Sequence, residues 1–160
     1  MRIHGSIEKV PVLVATGVTQ ANHKRVLGLQ SGDKESAPCW REFFKDFKKR
    51  GLEGSHVELG IMDGLIGLEK VFKEEFQNSK TQRCQVHAAK NVLTKVTRKH
   101  KKVVTDDMRS IFYASSKEKA LHYYEDFKKN CEKEFPSAAK SLENSIGSCL
   151  LFFLSRKKNG

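Results

Sequence analysis

Asp63 is the residue whose position favours a specific chemistry, because it directly follows an extended segment. Val57, Leu59 and Ile61 alternate with other residues, the two-residue period of a strand with one face on a core. In open α/β sheets, ligands and metal ions bind at the carboxyl edge of the strands, where the loops diverge. The sequence therefore predicts a carboxylate at the rim of a sheet, where it could bind a divalent cation.

A turn and a helix follow this acid. Gly64 and Gly67 permit a tight turn, and the residues that then recur at helical spacing are Leu65, Leu68, Phe72 and Phe76. Asp63 could also simply cap this helix, since Asp is common at strand-to-helix turns. The residues alone leave both roles open. Four other acids could substitute as ligands but are better explained as solvated or capping residues: Glu35, Glu58, Asp106 and Asp107.

Cys84 and His87 form the only short-spaced pair of soft metal ligands in the sequence, at the end of what we interpret as a second short strand. A structural zinc site needs four ligands, and no second Cys/His pair completes the set. Cysteine catalysis requires an orienting base, and none is apparent. We therefore predict no zinc and place this pair beside the site.

The charge of the chain favours a polyanionic partner. Thirty Lys and Arg against 19 Asp and Glu give a formal charge of +11 among 160 residues, and nucleic acid is the first candidate. An anionic membrane is the competitor, but the apolar run over residues 149–154 is too short to span a bilayer. With four widely spaced cysteines and no signal-peptide layout, we expect a cytoplasmic protein without a membrane partner.

The densest positive charge in the sequence consists of Arg98, Lys99, Lys101 and Lys102 around His100. Such a cluster often marks only a solvated helix end. It could equally contact phosphates, which supply most nonspecific DNA affinity. We interpret these four side chains as DNA-binding, without any role in reading base sequence.

The remaining elements are predicted in order as follows. Residues 10–17 read as a strand buried on both faces, and residues 25–30 as its hairpin partner, while residues 1–3 could be the remnant of an earlier strand. Asp33 or Ser36 could cap a helix with a core stripe of Trp40, Phe43, Phe44 and Phe47, which ends at Gly51.

The second half of the chain is predicted to be helical. One helix has Ala89, Val92, Leu93 and Val96 on one face and runs into the basic cluster, and another has Met108, Ile111 and Phe112. Ser115 with Glu118 forms a capping box for a helix with Ala120, Tyr124, Phe127 and Cys131. Pro136 breaks that helix, and Ala138, Ala139, Leu142 and Ile146 indicate one more.

Two coupled motifs resemble the Mutator family of transposases, which is shared by bacterial insertion sequences and plant elements. They are the Asp-Gly segment at residues 63–68 and the Cys-x-x-His segment at residues 82–87, followed by Lys90 and Asn91. Further matches lie at residues 17–18, 26–29, 35–36, 50–52, 111–114 and 120–121, and at Trp40. The resemblance covers nearly the whole chain.

The resemblance implies an α/β fold of the ribonuclease-H-like type, a mixed sheet with flanking helices and an all-helical insertion. Residues 1–104 would be the partial catalytic core without its first strand, residues 105–154 the insertion, and residues 155–160 an unmatched tail. Such enzymes cut and rejoin DNA ends with an Asp, Asp, Glu triad that holds two magnesium or manganese ions. By motif match Asp63 is the second acid, Gly64, Cys84 and His87 are adjacent to the site, and the complete enzyme would be a homo-oligomer.

The sequence also departs from the family pattern. The first Asp would precede the position matched by residues 1–2, and the third acid, a Glu, would follow the stretch matched by Phe152 and Phe153. We therefore expect one of three acids and an inactive, truncated fragment. The alternative is a non-catalytic basic module that binds DNA or a partner without metal, and a third possibility is an unstable relic with an unpaired sheet edge.

Overall fold

The computed structural model describes residues 12–31 and 36–155, with side-chain surroundings given up to residue 153. The predictions for residues 1–3, for Asp33 and Glu35, and for the tail at residues 156–160 lie outside the described residues. The chain divides into two compact units. The first is Met1–Glu58 with Leu65–Ser79, and the second is Leu59–Gly64 with Lys80–Gly160.

The first unit contains the predicted hairpin, which is confirmed. Strand β1 (Val12–Val18) pairs antiparallel with β2 (Lys24–Ser31), with a bulge between Ala15 and Thr16. The prediction that β1 is buried on both faces is wrong, because Val14 is 60% exposed and its cross-strand partner Leu29 is 67% exposed. A continuous apolar run does not show which face is covered, and here helix α1 (Ala37–Lys49) packs on the face of Gly28.

The core of the first unit consists largely of aromatic rings in tilted and edge-to-face contacts. Helix α1 buries the predicted stripe of Trp40, Phe43, Phe44 and Phe47 and ends before Gly51, whose φ is 99°. After a 3-10 turn at Gly54–His56, helix α2 (Ile66–Glu75) brings Phe72 and Phe76 to ring-centroid distances of 5.6 and 5.5 Å from Phe44. Ser36 precedes α1, but its hydroxyl makes no capping hydrogen bond.

A parallel strand pair begins the second unit. Strand β3 (Leu59–Met62) pairs with β4 (Lys80–Arg83), and Met62 lies beside Arg83. The predicted inward face of β3 is wrong, since Gly60 and Met62 are buried whereas Ile61 is 58% exposed. Because both faces of a strand have the same period, a shift of one residue exchanges them.

Five helices form the rest of the second unit: α3 (Gln85–Leu93), α4 (Lys101–Phe112), α5 (Lys117–Cys131), α6 (Pro136–Cys149) and α7 (Phe152–Ser155). The predicted core stripes of α4, α5 and α6 are confirmed, since all of their members are buried. The capping box was placed one residue too early, because the Oγ of Ser116 and not that of Ser115 accepts the Lys119 N–H. Pro136 occupies the first turn of α6, where its missing N–H costs nothing.

Two glutamines connect β4 and α3 to the end of the helical segment. The buried Gln82 accepts the Phe152 N–H at 2.7 Å, and Gln85 donates to the Cys149 carbonyl at 2.9 Å. These bonds pair backbone groups at two helix ends, the Cys149 carbonyl at the end of α6 and the Phe152 N–H at the beginning of α7. They join segments 64 and 70 residues apart in the chain.

The described residues thus form an α/β protein with one antiparallel and one parallel pair of strands. This agrees with the predicted α/β class. The ribonuclease-H-like arrangement and the division at residues 104 and 154 stay predictions, although α4 continues across residue 104 without interruption.

Two helical glycines in contrasting surroundings test the packing of these elements. A Cβ on Gly67 would lie 2.8 Å from the ring of the buried Trp40, whereas a Cβ on Gly147 meets nothing within 4 Å. We expect Gly67→Ala to lower the free energy of unfolding by about 1 kcal/mol, since overpacking outweighs the helix propensity of Ala. Gly147→Ala should raise it by about 0.5–1 kcal/mol.

Urea unfolding followed by circular dichroism measures both changes in the same background. Equal stabilisation by the two substitutions would contradict the tight approach of α2 to Trp40.

Candidate functional site at the carboxyl edge of the parallel strands

Asp63 lies immediately beyond β3, at the carboxyl edge of the parallel pair. The same edge receives the end of β4, because the Cys84 N–H donates to the Met62 carbonyl at 2.6 Å and extends the ladder by one bond. Gly64 then turns the chain with φ 93°. Asp63 is half-buried there. The sequence prediction of an acid at a strand end is thus matched by the backbone, and its role as a metal ligand stays a prediction.

Arg83 is the site neighbour whose role the sequence did not indicate. A Cβ on Gly64 would lie 3.0 Å from the Arg83 Nε, so this side chain lies directly over the glycine. Its Nε is buried without a hydrogen-bond partner among the described residues. A buried donor without an acceptor is costly. The signal for Arg83 in the sequence is its place at the end of β4, directly before Cys84.

Cys84 and His87 occupy different elements from those predicted. The second strand does not extend to His87, since β4 ends at Arg83, Cys84 caps α3, and Gln85 already belongs to that helix. His87 is exposed on the first turn of α3, and Cys84 is half-buried. Their place beside Asp63's strand end follows from chain position, and their function stays a prediction.

Two cysteines of the second unit, Cys131 and Cys149, have raised thiol pKa values. Burial raises the pKa of the Cys149 thiol to about 11, and the positive charge of Arg83 opposes that rise only in part. Burial also raises the pKa of Cys131. Both thiols are therefore protonated at neutral pH, and a protonated thiol is a poor nucleophile and a poor metal ligand.

The acids that could have joined Asp63 lie elsewhere. Glu58 is exposed ahead of β3, Asp106 approaches Arg109 at 3.8 Å, and burial followed by the charge of Asp106 raises the pKa of Asp107. Within residues 12–31 and 36–155, no three His, Cys, Asp or Glu side chains gather in a way that could hold a metal ion. Asp63 thus fits a single carboxylate ligand rather than a complete site.

The basic cluster surrounds the beginning of α4 rather than the end of α3. Helix α3 ends at Leu93, Arg98 and Lys99 lie in the turn that follows, and Lys101 and Lys102 open α4. All four are exposed, and none joins an ion pair within the described part of the chain. Positive charge at a helix amino terminus opposes the helix dipole, so this arrangement is unfavourable without an anion.

His100 fixes this turn in place. Its Nδ1 lies 2.9 Å from the Thr97 hydroxyl, its Nε2 lies 3.4 Å from a Glu134 carboxylate oxygen, and its ring lies 5.2 Å from that of Phe135. These contacts hold the basic cluster against the turn between α5 and α6, and the His100 side chain that makes them is half-buried.

Two surface cavities occur away from the strand edge. One of about 490 Å³ lies between Lys95 and the beginning of α6, and one of about 230 Å³ lies at the turn between α4 and α5. Asp63 lines neither of them.

Comparison with known proteins identifies the class. The model of the Mutator family of transposases matches residues 1–159, so the chain belongs to this family. The resemblance in the Asp-Gly and Cys-x-x-His motifs is thereby confirmed at the level of the family.

Curated relatives are transposases of bacterial insertion sequences. The chain is 28% identical over 141 residues to the transposase for insertion sequence element IS905 of Lactococcus lactis, covering 88% of this chain and 36% of that protein. It is 28% identical over 149 residues to the IST2 transposase of Acidithiobacillus ferrooxidans, covering 93% and 50%. It is 32% identical over 154 residues to the IS406 transposase of Burkholderia multivorans, covering 96% and 39%. The chain thus spans half or less of the length of these relatives.

Among the described residues, every helix is too short or too polar to cross a bilayer.

Thiol labelling tests the site's surroundings. We expect Cys131 and Cys149 to resist a maleimide reagent in the native protein at pH 8, because burial raises the pKa of both thiols. Cys39 and Cys84, which are half-buried, should react first. Peptide mass spectrometry reports each site, and the urea-unfolded protein, in which all four should react, is the control. Native labelling of Cys149 as fast as that of Cys39 would contradict the packing at the end of α6.

Proposed function

We propose that this chain provides part of the catalytic core of a DNA transposase, with a ribonuclease-H-like arrangement and an Asp, Asp, Glu triad. The observation that carries the proposal is Asp63 at the carboxyl edge of a parallel strand pair, in a chain of the Mutator transposase family. Ligands bind at such edges because the adjoining loops diverge. Rigid strands on both sides would hold the carboxylate within the small tolerance that catalysis requires.

Magnesium or manganese is the cofactor that suits this position. Two such ions about 4 Å apart supply an activated nucleophile and stabilise the leaving oxygen in phosphoryl transfer. Asp63 would provide one carboxylate oxygen ligand, and hard divalent ions keep several waters beside one or two carboxylates. Because no three-ligand group occurs among the described residues, we propose that these residues alone do not complete the centre and do not cut DNA.

The DNA would contact the basic cluster at the beginning of α4. Arg98, Lys99, Lys101 and Lys102 are exposed, lack acidic partners in the described part, and oppose the helix dipole. A phosphate backbone would remove this unfavourable arrangement and release counterions. Assembly into a homo-oligomer and a place in the bacterial cytoplasm remain predictions from the family resemblance.

A second candidate function is a basic module that binds DNA without catalysis. It is favoured by the unpaired cluster together with the missing three-ligand group in the described residues. The two candidates differ in one requirement, since only the catalytic proposal needs a divalent ion at Asp63.

Manganese titration separates these candidates. We expect Mn²⁺ to broaden the amide resonances of Cys84 and of the residues next to Asp63 in a ¹⁵N spectrum, because a paramagnetic ion broadens nearby signals. The selective broadening should disappear in Asp63→Asn and persist in Asp126→Asn, a matched loss of an exposed carboxylate on α5. Broadening that is unchanged in Asp63→Asn would remove the metal role and leave the binding module.

Salt-dependent DNA binding tests the cluster. We expect Lys101→Gln with Lys102→Gln to weaken duplex binding at every sequence and to reduce the slope of log K against log salt by about 0.9 for each lost phosphate contact. Lys49→Gln with Lys70→Gln removes the same charge from exposed lysines of the first unit and should change the slope less. Fluorescence anisotropy with a labelled duplex at several salt concentrations measures both. Equal slopes for the two double variants would leave only net charge as the cause.

A further inference from the structure

The turn between α4 and α5 carries two exposed aromatic rings. Tyr113 ends α4 and is 85% exposed, and Tyr123, on the second turn of α5, is 41% exposed. Both line the cavity of about 230 Å³. The third tyrosine of the chain, Tyr124, is buried, so core packing explains that ring but neither of these two.

Two cations line the same cavity. Arg109 is 71% exposed and has only a long contact of 3.8 Å with Asp106, so most of its N–H donors face solvent. The Lys119 ammonium makes no ion pair or hydrogen bond within the described residues. The backbone N–H of Lys119 donates to the Ser116 Oγ. The cavity therefore combines ring faces with positive charge that has little internal compensation.

This combination matches the chemistry of a nucleotide outside a duplex. A base stacks on an aromatic ring whatever its identity, while its phosphate is attracted by neighbouring cations. An acidic peptide would use the cations but not the rings. A duplex would not use the rings either, because its bases are already stacked on one another.

The position of the cavity relative to the basic cluster favours the same ligand. Arg109 follows Lys102 by seven residues, and Tyr113, at the end of α4, follows Arg109 by four. This spacing places the three residues on one face of the helix. The rise of 1.5 Å per residue puts Tyr113 about 16 Å along the axis from Lys102. A strand whose phosphates contact the cluster could follow this face to the rings.

We propose that Tyr113 and Tyr123, with Arg109 and Lys119, bind an unpaired nucleotide of a DNA strand. The inference rests on the proposed function for its ligand, DNA, and adds to it a preference for single-stranded segments. Stacking on Tyr113 supplies most of the selectivity, since this ring is the more exposed of the two. The cations hold the flanking phosphates.

Binding of the complete 160-residue chain to a single-stranded DNA oligonucleotide with a central 2-aminopurine tests the site. Stacking quenches this base, so we expect quenching by the wild-type protein. Tyr113→Leu should weaken binding about tenfold and abolish the quenching, whereas Tyr113→Phe, which keeps the ring face, should bind like wild type. Lys119→Gln should weaken binding more than its control Lys133→Gln, an exposed lysine outside the cavity. Circular dichroism should show unchanged folding, because Tyr113 is exposed.

The outcomes separate this inference from the proposed function. Wild-type affinity of Tyr113→Leu, or equal loss in the Leu and Phe variants, would overturn base stacking while duplex binding through the basic cluster persisted. Failure of the wild-type protein to bind either single-stranded or duplex DNA would overturn both proposals. Tighter binding of an RNA oligonucleotide of the same sequence would overturn the assignment of the strand as DNA.

Discussion

The parallel pairing of two four-residue strands is the constraint on which the second unit depends. So short a pair has few ladder bonds, and the Cys84 N–H adds one at the very edge where Asp63 leaves β3. Gln82 and Gln85 then connect the same strand end to the last turns of the helical segment. Segments distant in sequence are therefore connected to the parallel pair, because two of their backbone groups are hydrogen-bonded by side chains of β4 and of the start of α3.

Electrostatic costs are concentrated at two places in this unit. Among the described residues, the buried Nε of Arg83 over Gly64 has no acceptor, and the cluster around Lys101 places positive charge at a helix amino terminus. By contrast, Lys140 and Lys128 both hydrogen-bond to Glu143 and hold the pKa of that carboxyl at about 2. The exposed positive charge at the beginning of α4 is what a phosphate-bearing partner would relieve.

Much of the local structure was predictable because helical periodicity is a strong signal over ten or more residues. The stripe that includes Trp40 and Phe47 and the stripe that includes Tyr124 and Phe127 were both assigned correctly. The short strands were not, since four residues contain only two periods and both faces of β3 share them. The error in the buried face of β3 did not change the predicted position of Asp63 at the strand end, because the chain leaves the sheet after Met62 whichever face is buried.

By itself, the sequence determined the family, the buried faces of α1, α4, α5 and α6, the hairpin and the acid that follows β3. Each of these features depends on residues within about one helical turn of one another, or on a motif whose residues lie close together in the sequence. Tertiary structure alone decided that Arg83 lies over Gly64, that Gln82 receives Phe152, and that Tyr113 and Tyr123 share one cavity. Each of these contacts joins separate elements, and the periodicity of one element carries no information about which side chain of another will meet it.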